Sequence, residues 1–416
     1  MKKTVIICVI FIVFGLIFSS CKKHRENLSY KNIELTQIQK NMVASGNSFS
    51  FDMLRTIYQD NNDNKNLMIS PISVHHALAM TANGAKENTL NEMLDVLGFD
   101  DYNMDEFNAY YKYIMNELVE LDPEVEMEIA NSIWYSNNFN VLPSFLDVNQ
   151  EYYDAKIEAL NFSSPNAVSK INEWVQDATH QKIDRIIDYI SPDAVMYLIN
   201  AIYFYGTWKY EFDKSQTQNK VFYLANDETI GVPMMQVEAD LKYFSADGTS
   251  FVEIPYGHGN FVMDVILPAQ GQTPGDVLST LTATTWSEWT SRLYKRTINL
   301  SMPKFKFKWG EKDMKEILVS LGIMDLFDST TADLSGINDQ RQLYVNKVLH
   351  KTYIDVNEEG TEAAAVTAVE MDFISIDDDS SQPFYVNINR PFIFLIRESS
   401  TESILFSGVV NNPQLE

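Results

Sequence analysis

From residue 358 to residue 376 the chain alternates with a period of two. Every second residue from Thr361 reads Thr361, Ala363, Ala365, Thr367, Val369, Met371, Phe373, uncharged and growing in bulk. The interleaved positions Glu362, Ala364, Val366, Ala368, Glu370 and Asp372 hold every acid from residue 361 to residue 373. Successive strand side chains point to opposite faces, so the pattern predicts a long strand with one burying face that begins small and one face in water. The flanks read differently. Gly360 supplies backbone freedom at the near end, and Asp377-Asp378-Asp379-Ser380-Ser381-Gln382-Pro383 is a breaker-rich run at the far end. An ordinary edge strand followed by an acidic turn fits this pattern, and so does a segment built to change state.

The rest of the chain reads as alternating helices and strands with no internal repeat. Phe49, Met53, Leu54 and Ile57 share a helical face within 35–59. Leu67-Met68-Ile69 is a short strand, and Ser70-Pro71 opens a helix that Ser70 or Ser73 can cap. Residues 77–85 and 89–97 continue as helix, 127–135 and 194–204 as buried strands, and Ile171 to Ile183 with helical spacing. Two strands flank a turn at Tyr256-Gly257-His258-Gly259-Asn260. Residues 297–307 predict a strand interrupted by Pro303, 313–327 an amphipathic helix, and the ends at 389–397 and 405–413 two buried strands.

With 416 residues, 45% of them hydrophobic and 21% charged, the chain is globular rather than disordered. A formal net charge of −25 argues against nucleic acid as a partner and is compatible with cationic proteins. Lys2-Lys3, an apolar run from Thr4 to Phe18 and Ser19-Ser20-Cys21 form a targeting segment too short to be a membrane span. Small residues before Cys21 resemble a bacterial lipoprotein signal, which implies that Cys21 is lipidated and that residues 1–20 are removed. The alternative is a plain secretory signal cleaved nearby. Residues 21–34 are then a tether, 35–416 one domain, and the setting a bacterial cell envelope, on the surface or periplasmic face. Cys8 and Cys21 are the two cysteines, so no internal disulfide is expected.

Catalytic signatures are absent. There is no His-Glu-x-x-His, no Gly-x-Ser-x-Gly and no Gly-x-x-x-x-Gly-Lys, and Gly257-His258-Gly259 sits in a hairpin with Val262 where a dinucleotide loop needs glycine. No enzyme activity, metal or cofactor is expected, and His75-His76 read as surface and packing residues. His350 lies in apolar sequence just before the strand that feeds 358–376, where a buried imidazole must find partners.

Glu358-Glu359-Gly360-Thr361-Glu362-Ala363-Ala364-Ala365 resembles the hinge of the reactive-centre loop of inhibitory serpins, the serine protease inhibitor family. Asn200 to Trp208, the strand-to-helix segment at Ser70 and the C-terminal strand pair are also similar, in family order from about residue 47 to residue 413. The resemblance implies an α+β fold of three β-sheets and eight or nine helices, with an exposed loop over about 358–383. It implies a cluster of Ser70, Ser73, Asn200 and His350 where the main sheet opens, and a meeting of Trp208 with Glu358 where the loop enters. It implies a monomer that offers the loop as bait, is attacked by a serine or cysteine protease, and traps the acyl-enzyme by inserting the cleaved loop. A non-inhibitory binding or carrier member is the other function the resemblance allows.

The entering face, Thr361, Ala363, Ala365 and Thr367, is small and uncharged, as insertion requires. Counting seventeen residues from Glu358 ends at Ile374, which makes Ile374-Ser375 the expected reactive bond, with Phe373-Ile374 and Met371-Asp372 as rivals. No Lys or Arg occurs between Thr352 and Asn389, so a trypsin-like pocket has nothing to grip. Ile374 suits an elastase-like pocket and Phe373 a chymotrypsin-like one, and papain-like cysteine proteases remain open.

Overall fold

The computed structural model describes residues 31–61, 64–226, 228–310, 313–339, 343–361 and 384–415. The targeting segment, Cys21, most of the tether, and Glu362 to Ala365, Met371 and Phe373 to Ser375 lie outside the described residues.

The first helix, α1 (Gln37–Gln59), starts at Thr36, whose side chain accepts from the Gln39 amide while Gln39 caps back. The chain is anchored even earlier. Ile33 is buried and donates its N–H to Ser400 Oγ at 3.0 Å, and Asn260 holds the Lys31 carbonyl at 2.6 Å. The packed unit therefore begins before residue 35, and the last residues assigned to the tether belong to it.

Next come β1 (Leu67–Ile69), α2 (Pro71–Ala82), α3 (Glu87–Leu97), α4 (Met104–Val119), β2 (Val125–Ser136), α5 (Pro143–Tyr153), β3 (Lys156–Leu160), α6 (Pro165–Ala178) and β4 (Met196–Thr207). The middle of the chain gives β5 (Gln218–Tyr223), β6 (Thr229–Ala246), β7 (Thr249–Pro255), β8 (Phe261–Leu267), α7 (Pro274–Leu278), α8 (Ala283–Ser291), β9 (Tyr294–Pro303), β10 (Phe305–Trp309) and α9 (Lys315–Leu321). The C-terminal part supplies β11 (Thr352–Val356), β12 (Gly360–Thr361), β13 (Tyr385–Asn387), β14 (Phe392–Glu398) and β15 (Ile404–Val410).

Two expectations change here. Residues 297–307 are two strands in different sheets, because Pro303 has no N–H for the ladder and the chain crosses from one sheet to the other at that point. The helix expected over 313–327 is one short helix, α9, ended by Gly322 at φ +121°, followed by a single 3₁₀ turn at Asp325–Phe327.

The main sheet has the order β10-β11-β12-β4-β2-β3. The remaining strands form one hydrogen-bonded assembly, β1-β15-β14-β8-β7-β6-β9-β13, with β5 also on β6. Two of the three expected sheets are thus continuous through the 18-residue β6. One of its edges pairs with β9, and the other with β5 near its start and β7 near its end. β8, β14 and β15 are buried along their whole length, which explains why they read as continuous apolar runs. Within them Arg397 binds Asp264 at 2.6 Å and Glu253 at 2.5 Å, and Lys242 reaches Glu253 at 2.8 Å.

His75 and His76 are both buried, not at the surface. His75 Nδ1 bonds the Tyr111 hydroxyl, and His76 packs edge-on to the same ring at 4.9 Å.

Candidate functional site: the hinge and the parting of the main sheet

β12 is only two residues long, yet it places the segment that begins the alternating pattern inside the main sheet. Thr361 pairs with Val356 of β11 on one side, and Gly360 and Thr361 pair with Thr207 and Gly206 of β4 on the other. Because β12 is antiparallel to both neighbours, β11 and β4 run parallel. Below β12 the described residues put no further strand between them. A cavity of about 20 Å³, room for a single water, lies there between Phe204, Thr352, Thr361, Ile396 and Phe406.

Gly360 is required by close approach. A Cβ at that position meets the Gly206 carbonyl oxygen at 2.1 Å and Thr207 Cα at 2.8 Å. The backbones of Gly360 and Gly206 thus approach closely on the diagonal where the hinge enters the sheet.

The entry is clamped by residues from distant parts of the chain. Trp208 donates its backbone N–H to the Glu359 carbonyl and its indole N–H to the Asn357 carbonyl, each at 2.9 Å. Its ring stacks on Tyr256 at 4.4 Å, and the Tyr256 hydroxyl meets Thr361 Oγ1 at 2.5 Å. The expected meeting of Trp208 with Glu358 is therefore made through the two residues flanking Glu358. Glu358 itself is buried. Its carboxylate accepts from Lys304 Nζ at 2.7 Å and Thr217 Oγ1 at 2.8 Å, and its carbonyl from the Phe212 N–H at 2.9 Å. Burial pushes this carboxyl up, but the hydrogen bonds from Lys304 and Thr217 outweigh it and hold the group below its ordinary range. Glu359 pairs with Lys214 at the surface. Removing Lys304 leaves a buried carboxylate without its cation, so Lys304→Ala should cost about 1–3 kcal/mol. Calorimetry of the intact protein checks this as a lowered Tm.

The second cluster lies at the foot of the parting. His350 Nε2 accepts the Ser70 N–H at 2.9 Å. Ser70 Oγ donates to the Leu405 carbonyl at 2.8 Å and accepts from the Ser73 N–H at 3.4 Å, which caps α2. Ser70, Ser73 and His350 therefore come together. Asn200 does not join them. It is the register partner of Asn131 across β2 and β4, and donates to Asn131 Oδ1 at 2.7 Å. Its own buried Oδ1 has no partner among the described residues. The amide directly opposite on the adjacent strand is within hydrogen-bond reach and takes its N–H.

Burial lowers His350 to about 4, and lowers His75 and His76 to about 3. The unfolded chain binds those protons near pH 6.5 and the folded chain does not, so this stability is complete above pH 6.5 and is lost as pH falls toward 4. Asp264 opposes part of this trend, because burial pushes its carboxyl up against the pull of Arg397. Each net proton corresponds to about 1.4 kcal/mol per pH unit. The urea midpoint should fall steeply between pH 6.5 and 4.5, and a flat profile would contradict the burial of these rings as neutral groups.

Lys304, Lys214, Thr217, Tyr256 and Asn357 were not singled out from the sequence. Each is an ordinary polar residue in its own segment, and only the hinge residues and Trp208 that they meet mark them.

Comparison with known proteins agrees with this architecture. The family model described as "Serpin (serine protease inhibitor)" matches residues 44–413. The chain is 34% identical to Iripin-8 of Ixodes ricinus, over 91% of this chain and 95% of that one. It is 34% identical to a serine protease inhibitor of Cyanea capillata, over 84% and 93%. Among solved structures, the thermophilic serpin tengpin in its native state superimposes with a TM-score of 0.81 at 32% identity, covering 92% of this chain and 96% of that chain. Its latent state gives 0.77 over 91% and 99%. Human thyroxine-binding globulin gives 0.81 at 29% identity, over 90% and 99%.

Proposed function

The chain belongs to the serpin family, and on that premise we propose that it is an irreversible suicide-substrate inhibitor of serine endopeptidases. The observation that carries this is the placement of Gly360 and Thr361 between β11 and β4. They begin a strand whose next residues in sequence, Ala363, Ala365 and Thr367 on the entering face, are small and uncharged. A protease acylated at the loop releases it, and the freed segment continues β12 down the slot. The protein supplies bait and stored energy and no catalytic group.

The reactive bond is Ile374-Ser375, and the targets are elastase-like or chymotrypsin-like serine proteases, with papain-like cysteine proteases as a further class. A binding or carrier role is the second reading, favoured by the equally close fold of thyroxine-binding globulin. The hinge composition weighs against it. The protein acts as a monomer, held at a bacterial envelope through lipid on Cys21 in front of the packed domain. Incorporation of labelled palmitate, lost in Cys21→Ser, tests the anchor.

The deciding experiment incubates the protein with elastase-like, chymotrypsin-like, trypsin-like and papain-like proteases. A complex that survives a denaturing gel, with a released C-terminal peptide starting at Ser375, is the expected result for the elastase-like enzyme. A cut loop with no covalent complex in any reaction would select the binding-protein reading.

A further inference from the structure

The segment after α6 crosses the face of the main sheet. Ile183, Ile186 and Ile187 bury against Ile171, Val175 and Ile199, and Asn172 Oδ1 accepts the N–H groups of Ile186 and Ile187 at 2.8 and 3.1 Å. This strap is tied on both sides of the slot. Toward β10 and β11, Lys308 meets Asp184 at 2.9 Å, and Lys182 lies over the Tyr353 ring at 5.4 Å. Toward β2, the tie is His180.

Glu126 and Glu128 stand two residues apart on β2, hence on one face. His180 is the second residue beyond α6, and its ring stacks on Tyr203 of β4 at 4.1 Å and 21°. That stacking orients its edge, and Nε2 lies 3.2 Å from Glu128 Oε1 and 3.6 Å from Glu126 Oε1. All three donor atoms fall within 4.8 Å of one another. A tetrahedral zinc ion with bonds of 2.0–2.2 Å holds its ligand atoms about 3.4 Å apart, close to both histidine–glutamate distances here. The three side chains are 38–49% exposed, so an ion reaches them from water and keeps water at its fourth position. Glu120 and Glu124 line the adjoining groove and deepen the local negative potential. The imidazole separates this group from an ordinary acidic edge, because it selects zinc, nickel or copper over magnesium and calcium.

We propose that Glu126, Glu128 and His180 form a zinc-class divalent metal site that pins the strap to β2. The bound ion replaces a surface contact of the imidazole with three coordinate bonds, and joins the strap to the strand bordering β4. The site does not require the protein to inhibit anything, since zinc binding is read without a protease present.

The test titrates the intact chain with zinc chloride at pH 7.5 by calorimetry, alongside His180→Gln and Glu128→Gln. Both residues are partly exposed, and unchanged circular dichroism and Tm in EDTA establish that the variants fold. One zinc per chain is expected, weakened at least about tenfold in each variant, as loss of a ligand requires. Amide exchange of the strap, residues 179–187, should slow on adding zinc to the wild type and not to the variants. No zinc binding, or binding that both variants retain, overturns the site. Binding that leaves strap exchange unchanged overturns the pinning.

Discussion

Thr361→Arg should convert the protein from an inhibitor into a substrate. Thr361 is 3% exposed and its hydroxyl meets Tyr256 inside the sheet, above a cavity lined by Phe204, Ile396 and Phe406. Among the described residues lining that cavity the one charged side chain is Lys182, itself a cation. A guanidinium there finds no carboxylate, so an arginine holds residue 361 out of the sheet before cleavage, and inserting it unpaired afterwards costs several kcal/mol. Insertion competes with hydrolysis of the acyl-enzyme, and every 1.4 kcal/mol added to its barrier slows it about tenfold. About 4 kcal/mol therefore hands the race to hydrolysis by roughly three orders of magnitude. The expected readout is a cleaved loop, free active protease and at least a tenfold rise in inhibitor consumed per protease inactivated. Thr361→Ser keeps the hydroxyl and should keep the complex. An undiminished complex from the arginine variant would contradict insertion through this slot.

Nicking the loop should make the protein markedly more heat-stable. A strand of about 14 residues entering between β4 and β11 gains hydrogen bonds worth roughly 0.5–1.5 kcal/mol each, on the order of 10–20 kcal/mol in all. At an unfolding entropy of about 2.1 cal/mol/K per residue, a domain of this size rises in Tm by roughly 10–25 °C. Calorimetry before and after limited proteolysis measures this. The Gly360 contact with Gly206 makes the sign specific, since Gly360→Ala forces apart the two backbones that start the new strand and should abolish most of the rise.

Much of the molecule was legible in one dimension. The small-to-large alternation after Gly360 is written residue by residue and predicts a strand, of which Gly360 and Thr361 are the part among the described residues. The apolar runs of β14 and β15 announced buried strands. The hinge residues Glu358 to Thr361 stand out in the sequence through the family motif they resemble. Pro303 was visible as an interruption, but whether it bends one strand or ends it depends on which sheet receives the next residue.

The clamp around the hinge was not legible. Lys304, Thr217 and Tyr256 reach Glu358 and Thr361 from 54 to 141 residues away, and nothing in their own segments marks them. The same holds for His180, whose ring is aimed by Tyr203 toward two glutamates on another strand. Motif searches look for ligands spaced along one helix or loop, and this group is assembled from a strand and a strap. His75 and His76 carried no sign that they were buried neutral, since neighbouring histidines on a helix look alike inside and outside.

Local order is what the sequence by itself determined here: which segments are strands, which face of each is apolar, and that the loop begins with residues small enough to enter a sheet. Only the tertiary structure decided that β11 and β4 are already parted by Gly360 and Thr361, that Asn200 turns to Asn131 and not to His350, and which cations hold the hinge glutamates. Side-chain periodicity is a property of a few consecutive residues, whereas a charge pair or a gap between strands exists only once distant segments have been brought together.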